Sequence, residues 1–349
     1  MRPAEGMSAV RRVSLRFTVL LALSAGLLFA GSPARGQTLL PINIGYQSNT
    51  DWLLFVAKGQ KLFEKAGLAP TFVKFTAGPP MVEAARQKKI DVTSIGSVPF
   101  LLGLAEGVDW VIVGINPEGA YGEGLVARKD GGIATVADLP GKRIGYAKGT
   151  TAHFGLIMAL KQLGIRRDQV TLLDMAPAEQ LTALSNREID AAMVWEPWMR
   201  KMVHEADGRI LVTEGDLGTY STVDVYAARR EWLRDNRAAA VRFLRAILMA
   251  GEIMQKDPRI GLRALAAEMG IMEGWAEEIY DNSPPPKMSL WTDSRYRYSL
   301  VKDSAFHRRL GYLSNFLFDE KISPQRVDVR DVLDASLIAE AVKASETGP

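Results

Sequence analysis

The 349-residue chain contains no cysteine. Disulfides, thiolate-ligated metals and cysteine nucleophiles are therefore excluded together. Histidine is scarce, with three residues in all. His204 and His307 sit in polar helical patterns without a second ligand at metal spacing, so both read as surface residues, and neither a metal nor a cofactor is expected. A Walker loop, a dinucleotide-binding glycine pattern, His-Glu-x-x-His and Gly-x-Ser-x-Gly are also missing, which removes the common enzyme signatures. Nor is there an excess of one charge. The formal +3 comes from residues 1–36, which hold five Arg and one Glu, and the remainder carries 38 basic and 39 acidic residues. A nucleic-acid binder would show a basic surplus, so no nucleic acid is expected as a partner.

Long apolar runs are lacking except at Phe17 to Ala30, 14 residues, short of the ~20 needed to span a bilayer. Arg11, Arg12 and Arg16 precede that run, and Ala34-Arg35-Gly36 places small residues where a signal peptidase reads. Residues 1–36 thus read as a secretory signal peptide, with the mature protein in the periplasm. Sec and twin-arginine export both remain open.

What is present is an internal echo. Ile44-Gly45-Tyr46, followed by a helical run ending at Gly67-Leu68, is matched by Ile144-Gly145-Tyr146 and a run ending at Gly164-Ile165; Ile90-Asp91 and Pro99 are matched by Ile189-Asp190 and Pro197. Two similar strand-helix units predict two α/β lobes with mainly parallel sheets and a cleft between them. The pattern predicts strands over 41–46, 68–75, 91–95 and 143–147, and helices over 52–65, 80–88, 99–106 and 231–255. Leu125-Val126-Ala127 and Ser221 to Ala227 read as two strands crossing between lobes. The division expected is lobe one at 37–127 and 223–349, and lobe two at 128–222.

Candidate ligand contacts cluster at helix openings. Thr150-Thr151 follows the turn Lys148-Gly149 at a helix N-cap, with His153 in the first turn, where free N–H groups and the helix dipole favour an anion. An ordinary cap would also account for them. The polar segment Gln47-Ser48-Asn49-Thr50-Asp51-Trp52 and the segment Gly96-Ser97-Val98-Pro99 open helices in the first lobe. Trp195-Glu196 lies beyond the end of a strand, where ligands of open α/β sheets collect. Asp224 is a charge on a crossing strand, costly unless paired; Arg229 or Arg230 is the bland partner. Glu123, with Glu118 and Tyr121, lines the cleft or belongs to a hinge turn.

Gly45-Tyr46-Gln47-Ser48, Ile95-Gly96-Ser97-Val98-Pro99, Gly141-Lys142-Arg143-Ile144 with Thr150-Thr151-Ala152-His153, Ala192-Met193-Val194-Trp195-Glu196-Pro197 and Thr222-Val223-Asp224-Val225-Tyr226 together resemble the periplasmic solute-binding proteins of the nitrate/sulfonate/taurine family of ABC importers. The taurine-binding branch is the most similar. The resemblance implies a two-lobed, type II periplasmic binding protein fold of class α/β, two mainly parallel sheets flanked by helices and joined by two crossing strands. It implies that Ser97, Val98, Thr150 and Thr151 hold a sulfonate and that Asp224 holds the amine of taurine. It also implies delivery to a membrane permease and its ATPase, with no catalysis. Two departures stand out: Glu196 replaces a small neutral residue, and Lys148-Gly149 replaces apolar ones. Receptors for nitrate, aliphatic sulfonates or a pyrimidine precursor of thiamine are the alternatives within the family, and a sensory module shares the fold. The related pyrimidine synthase and aromatic desulfinase both depend on cysteine, which this chain lacks.

Overall fold

The computed structural model describes residues 38–116, 121–218 and 222–346. The expected signal peptide, Glu118 and Ser221 lie outside them. Strand β1 (Leu40–Gln47) alternates into a fully buried C-terminal half and leads to helix α1 (Trp52–Gly59), whose N-cap Asp51 accepts from the Leu54 N–H at 3.1 Å. A single helix over 52–65 is not what forms: Lys61 adopts a left-handed conformation (φ 53°), and a separate short helix α2 (Leu62–Lys65) follows. Then come β2 (Leu68–Phe75), α3 (Gly78–Arg86), β3 (Val92–Gly96), α4 (Ser97–Ala105) and β4 (Trp110–Ile115).

The second series is β5 (Glu123–Arg128), β6 (Arg143–Tyr146), α5 (Thr151–Gln162), β7 (Thr171–Asp174), α6 (Pro177–Ser185), β8 (Ala191–Trp195), α7 (Trp198–Glu205) and β9 (Gly208–Thr213). Strand β10 (Asp224–Arg229) then precedes α8 (Arg230–Lys256), α9 (Arg259–Met269), α10 (Glu273–Asn282), α11 (Ala305–Asp319) and α12 (Ser336–Glu346). Helix α8 departs from helical angles at Asn236, whose side-chain amide donates to the Trp232 carbonyl at 3.0 Å.

The strands form two five-stranded sheets, ordered β2-β1-β3-β10-β4 and β7-β6-β8-β5-β9. In each, four strands run one way, and the fifth, second from an edge, is antiparallel to both neighbours. This is the mixed, mainly parallel α/β architecture the echo predicts. The echo itself falls on equivalent strands, β1 and β6. Gly45 and Gly145 permit close packing there, since an added Cβ would stand 2.9 Å from Thr93 Oγ1 and 2.9 Å from Ile189 Cδ1 respectively. Asp91 and Asp190 also do one job twice. Each accepts a backbone N–H from the neighbouring strand, of Asn43 and Arg143 respectively, at 2.9 Å, and each pairs with an arginine, Arg229 at 2.8 Å and Arg143 at 3.0 Å.

Strand β5 is a full member of the second sheet rather than a bridge between the two, so the chain passes between sheets ahead of Glu123 and returns between Thr213 and Asp224. Strands β4 and β9, each at a sheet edge, carry no pattern that singled them out: β4 is a short, fully buried apolar run and β9 a half-buried one without clean alternation. The first sheet and its helices share one large apolar core. Its members on α11, including Phe306, Leu313 and Phe316, reach Phe154 of α5 beside the second sheet. Smaller clusters fill either face of the second sheet.

His204 is exposed and stacks on Trp275 with ring centroids 4.3 Å apart. His307 is buried, against expectation: its Nδ1 accepts from the Asp303 N–H at 2.9 Å and its Nε2 lies 2.7 Å from the Val329 carbonyl. Its polar neighbours in sequence concealed a tertiary partner on a distant loop. Among the described residues no helix is long and apolar enough to cross a membrane, and no group of three or more His, Asp or Glu is placed to hold a metal ion.

Candidate functional site

Strand ends from both sheets converge on a cleft with a cavity of about 50 Å³. Gln47 closes β1, and Asn49 and Thr50 follow it; Glu123 opens β5; Thr151 begins α5; Trp195 closes β8 and Glu196 follows; Thr222 and Val223 lead into Asp224, the first residue of β10. Six of the residues singled out in the sequence are thus brought together: Gln47, Glu123, Thr151, Trp195, Glu196 and Asp224. The approach is tight. A Cβ on Gly96 would stand 3.0 Å from Thr151 Cγ2 and 3.4 Å from Asp224 Oδ1.

The other expected contacts have different tasks. Thr150 is the cap of α5: its hydroxyl donates to the Ala147 carbonyl at 2.6 Å and accepts from the His153 N–H at 3.4 Å. His153 lies beneath that turn, accepting from the Gly149 N–H at 3.3 Å and packing on Tyr146, and burial pushes its pKa down to about 4. Ser97 exchanges two hydrogen bonds with Val223, giving its N–H to the carbonyl at 2.8 Å and accepting the N–H on its hydroxyl at 3.4 Å. Val98 is a core residue with no exposed surface. None of these four lines the cleft. Ser48 contributes its carbonyl, which accepts the Trp195 indole N–H at 2.9 Å and so ties the first sheet to the second.

Asp224 does not pair with either nearby arginine. Arg229 is taken by Asp91, and Arg230 by Asp109 at 3.2 Å. What reaches Asp224 is the side-chain amide of Asn49. Burial pushes the Asp224 carboxyl up to about 6, with the Asn49 bond pulling the other way. Glu123 is 6 % exposed, and its Oε2 accepts from the Thr222 hydroxyl at 3.2 Å. Burial first, and the charge of Asp224 second among the raising influences, push Glu123 up to about 8, opposed by hydrogen bonds from Thr151 and Thr222. Behind it Glu214 is raised too, by burial and then by Glu123.

Glu196 is the departure from the family pattern, and the structure supplies its counterpart. The Arg200 guanidinium stands 3.1 Å from Glu196 Oε1, and the Arg200 N–H donates to Oε2 at 3.1 Å. The same guanidinium reaches Glu278 on α10 at 2.9 Å. Burial still outweighs this pairing and raises Glu196 to about 7. Among the described residues no Lys, Arg or His lines the cleft, which therefore carries acceptors and hydroxyls but no cation of its own.

Asn49 and Thr50, Thr222 and Ser283 line the cleft as well, and of these only Ser283 lay outside the segments marked in the sequence. Asn49 and Thr50 follow Gln47-Ser48 directly, so the polar loop opening α1 was the signal for them. Ser283 comes from the far end of the chain, where its carbonyl accepts the Trp52 indole at 2.7 Å, and nothing local marks it.

The raised carboxyls give a pH dependence. Asp51 (about 7), Glu196 (about 7) and Glu123 (about 8) hold protons in the folded protein that the unfolded chain has released by pH 6.5. Stability therefore falls as pH rises from 6.5 to 8.5. Below 6.5 His153, depressed when folded, acts in the opposite sense and loses stability as pH falls. The thermal midpoint of the ligand-free protein is expected to drop between pH 6.5 and 8.5; a flat or rising midpoint there would show that these carboxyls are not buried as described.

Comparison with known proteins identifies the family. The aliphatic sulfonates-binding protein assigned in Escherichia coli (strain K12) is 28% identical over 321 residues, 90% of this chain and 96% of that protein. The taurine-binding periplasmic protein of the same organism is 25% identical over 270 residues, 75% of this chain and 81% of that one. The alkanesulfonate-binding protein SsuA from Xanthomonas axonopodis pv. citri, solved bound to MOPS, shares the fold with a TM-score of 0.71 at 24% identity, covering 86% of this chain and 97% of its own. Residues 37–271 match the NMT1-like family. With that match spanning both sheets, the chain belongs to the NMT1-like family and to the nitrate/sulfonate/taurine group its motifs resemble.

Proposed function

We propose that the protein is the periplasmic receptor of an ABC importer, that it captures a small aliphatic sulfonate between two lobes built on the two sheets, and that it presents the closed form to a membrane permease and its ATPase. Within that class the reading favours an aminoalkanesulfonate such as taurine. The observation that carries it is the cleft itself: the first turn of α5 opens there beside a half-buried acid, Asp224, that pairs with no cation among the described residues. The helix N-terminus and the hydroxyls of Thr50 and Thr151 suit the sulfonate. The carboxylate suits an ammonium. The relatives named for aliphatic sulfonates and for taurine support the class. Ligand contacts made on both sheets favour closure.

Calorimetric titration with taurine, ethanesulfonate and nitrate tests the reading. Tight binding of taurine with weak binding of the other two supports it, whereas preference for nitrate would replace it. The two adjacent threonines separate binding from folding. Thr151→Val should weaken taurine and ethanesulfonate alike, by roughly 3- to 10-fold for a neutral hydrogen bond. Thr150→Ala should instead cost about 1 kcal/mol of stability as a lost helix cap, with little change in affinity. Reversed effects in urea denaturation and titration would exchange the two roles.

A further inference from the structure

The run Asn282-Ser283-Pro284-Pro285-Pro286 after α10 has two faces. Ser283 lines the ligand cleft, whereas the three prolines line a separate groove of about 630 Å³. That groove lies among helices sharing the first sheet's core, with Leu53 from α1, Met254 from α8, Tyr280 from α10 and Val342 from α12. Its polarity is layered. Leu53, Met254 and Met288 are buried and form an apolar floor, while Glu252, Gln255, Lys287, Ser289 and Ser345 are exposed and form the rim. Sites for small organic molecules typically enclose roughly 300–1,000 Å³ and combine an apolar lining with a few polar groups.

Two features hold the groove open. Consecutive prolines fix the φ angles of one wall and give it no N–H groups to satisfy. Gly251 stands inside α8, where glycine is less favourable than every residue but proline. Packing does not require it there. An added Cβ would meet only Met288 Sδ at 3.5 Å and Leu53 Cδ2 at 3.9 Å, both ordinary contacts. What its missing side chain leaves is the space above the floor.

We infer that this groove is a second binding site, distinct from the ligand cleft, for a single-chain amphiphile with one anionic head. The chain lies on Leu53, Met254 and Met288, which its burial removes from water. The head lies at the rim beside Lys287, which follows the rigid proline wall and whose ammonium pairs with no carboxylate among the described residues. Gln255, Ser289 and Ser345 add neutral donors, and Glu252 is the one acid of the lining, so the rim favours an anion over a cation. The site stands whether or not the cleft takes a sulfonate.

The probes are decanoate, decanol and decyltrimethylammonium, titrated below their micelle concentrations into wild type, Gly251→Leu, Lys287→Gln and Thr151→Val. Wild type should bind decanoate saturably, one per chain. Leucine at 251 is a better helix former and occupies the floor, so decanoate and decanol should both weaken by roughly tenfold or more, with the thermal midpoint equal or higher. Lys287→Gln should weaken decanoate by roughly two- to fivefold, the size of an exposed ion pair, and leave decanol unchanged. Thr151→Val, which alters the cleft, should leave decanoate binding as it is. Absence of decanoate binding, or binding indifferent to Gly251→Leu, overturns the inference. So does decyltrimethylammonium binding more tightly than decanoate. Loss of decanoate in Thr151→Val would place the chain in the cleft instead, and capture by phosphatidylglycerol vesicles without uptake of monomeric decanoate would make the groove a membrane contact. Either result removes the proposed site, while taurine binding in wild type is read separately and decides only the receptor reading.

Discussion

Asp224→Asn is expected to weaken taurine binding by about 10- to 150-fold and to leave ethanesulfonate binding unchanged or slightly improved, since a hydrogen bond to a charged group contributes about 1.5–3 kcal/mol. The substitution is nearly isosteric, and the side-chain oxygen of the new Asn can still accept from Asn49, so the loop before α1 should keep its place. The wild-type protein should show the same selectivity along the pH axis. The Asp224 carboxyl is raised to about 6, so its negative charge is lost as pH falls through that value. Taurine affinity should therefore decline below pH 6 in the wild type while ethanesulfonate affinity holds or rises. In Asp224→Asn the contribution of this group to that decline should vanish. Equal weakening of both ligands by the substitution would remove Asp224 from ligand recognition and leave it a structural acceptor for Asn49.

The second large effect concerns Arg200→Leu. Glu196 is 2 % exposed, and Arg200 is the cation beside it. Removing one partner of a buried pair typically destabilises by about 3–5 kcal/mol, because a charge is left uncompensated. Here the cost depends on pH. At pH 5.5 Glu196, raised to about 7, holds its proton and the loss should be small. At pH 8.5 the wild type has Glu196 ionised against Arg200, whereas the variant must either ionise it unpaired or hold its proton against the solvent pH, and the full loss should appear in urea denaturation. Adding Glu196→Gln should restore most of the stability at pH 8.5. A double variant no more stable than Arg200→Leu alone would show that the guanidinium acts through Glu278 on α10 rather than through Glu196.

Much of the architecture could be read from the chain because the two sheets repeat one local solution. Gly45 and Gly145, Asp91 and Asp190, and the helices that follow are short-range features, and short-range features leave marks in sequence. The placement of β5 could not be read in this way, since strand membership is decided by partners distant in the chain. The site divided along the same line. That helix openings and Asp224 face a cleft followed from position. Which of Thr150 and Thr151 caps the helix and which lines the cleft depends on one residue of helical phase, and both carry the same side chain. Ser97 turned inward because Val223, more than a hundred residues later, supplies both of its partners. The Glu196–Arg200 pair had a mark that went unused, the i,i+4 spacing of opposite charges on a helix start.

The strand order of the first sheet bears on how the molecule is made. Its reversed strand, β10, lies between β3 and β4, yet is encoded after every strand of the second sheet. A chain emerging from its N-terminus possesses all of β5 to β9 by Thr213, whereas β3 lacks its neighbour until Arg229 has appeared. The half encoded later is therefore the first to have all its strands. During that interval the first half offers an open strand edge to any other chain. Premature termination between Thr213 and Asp224 should consequently yield a product that self-associates through its N-terminal half.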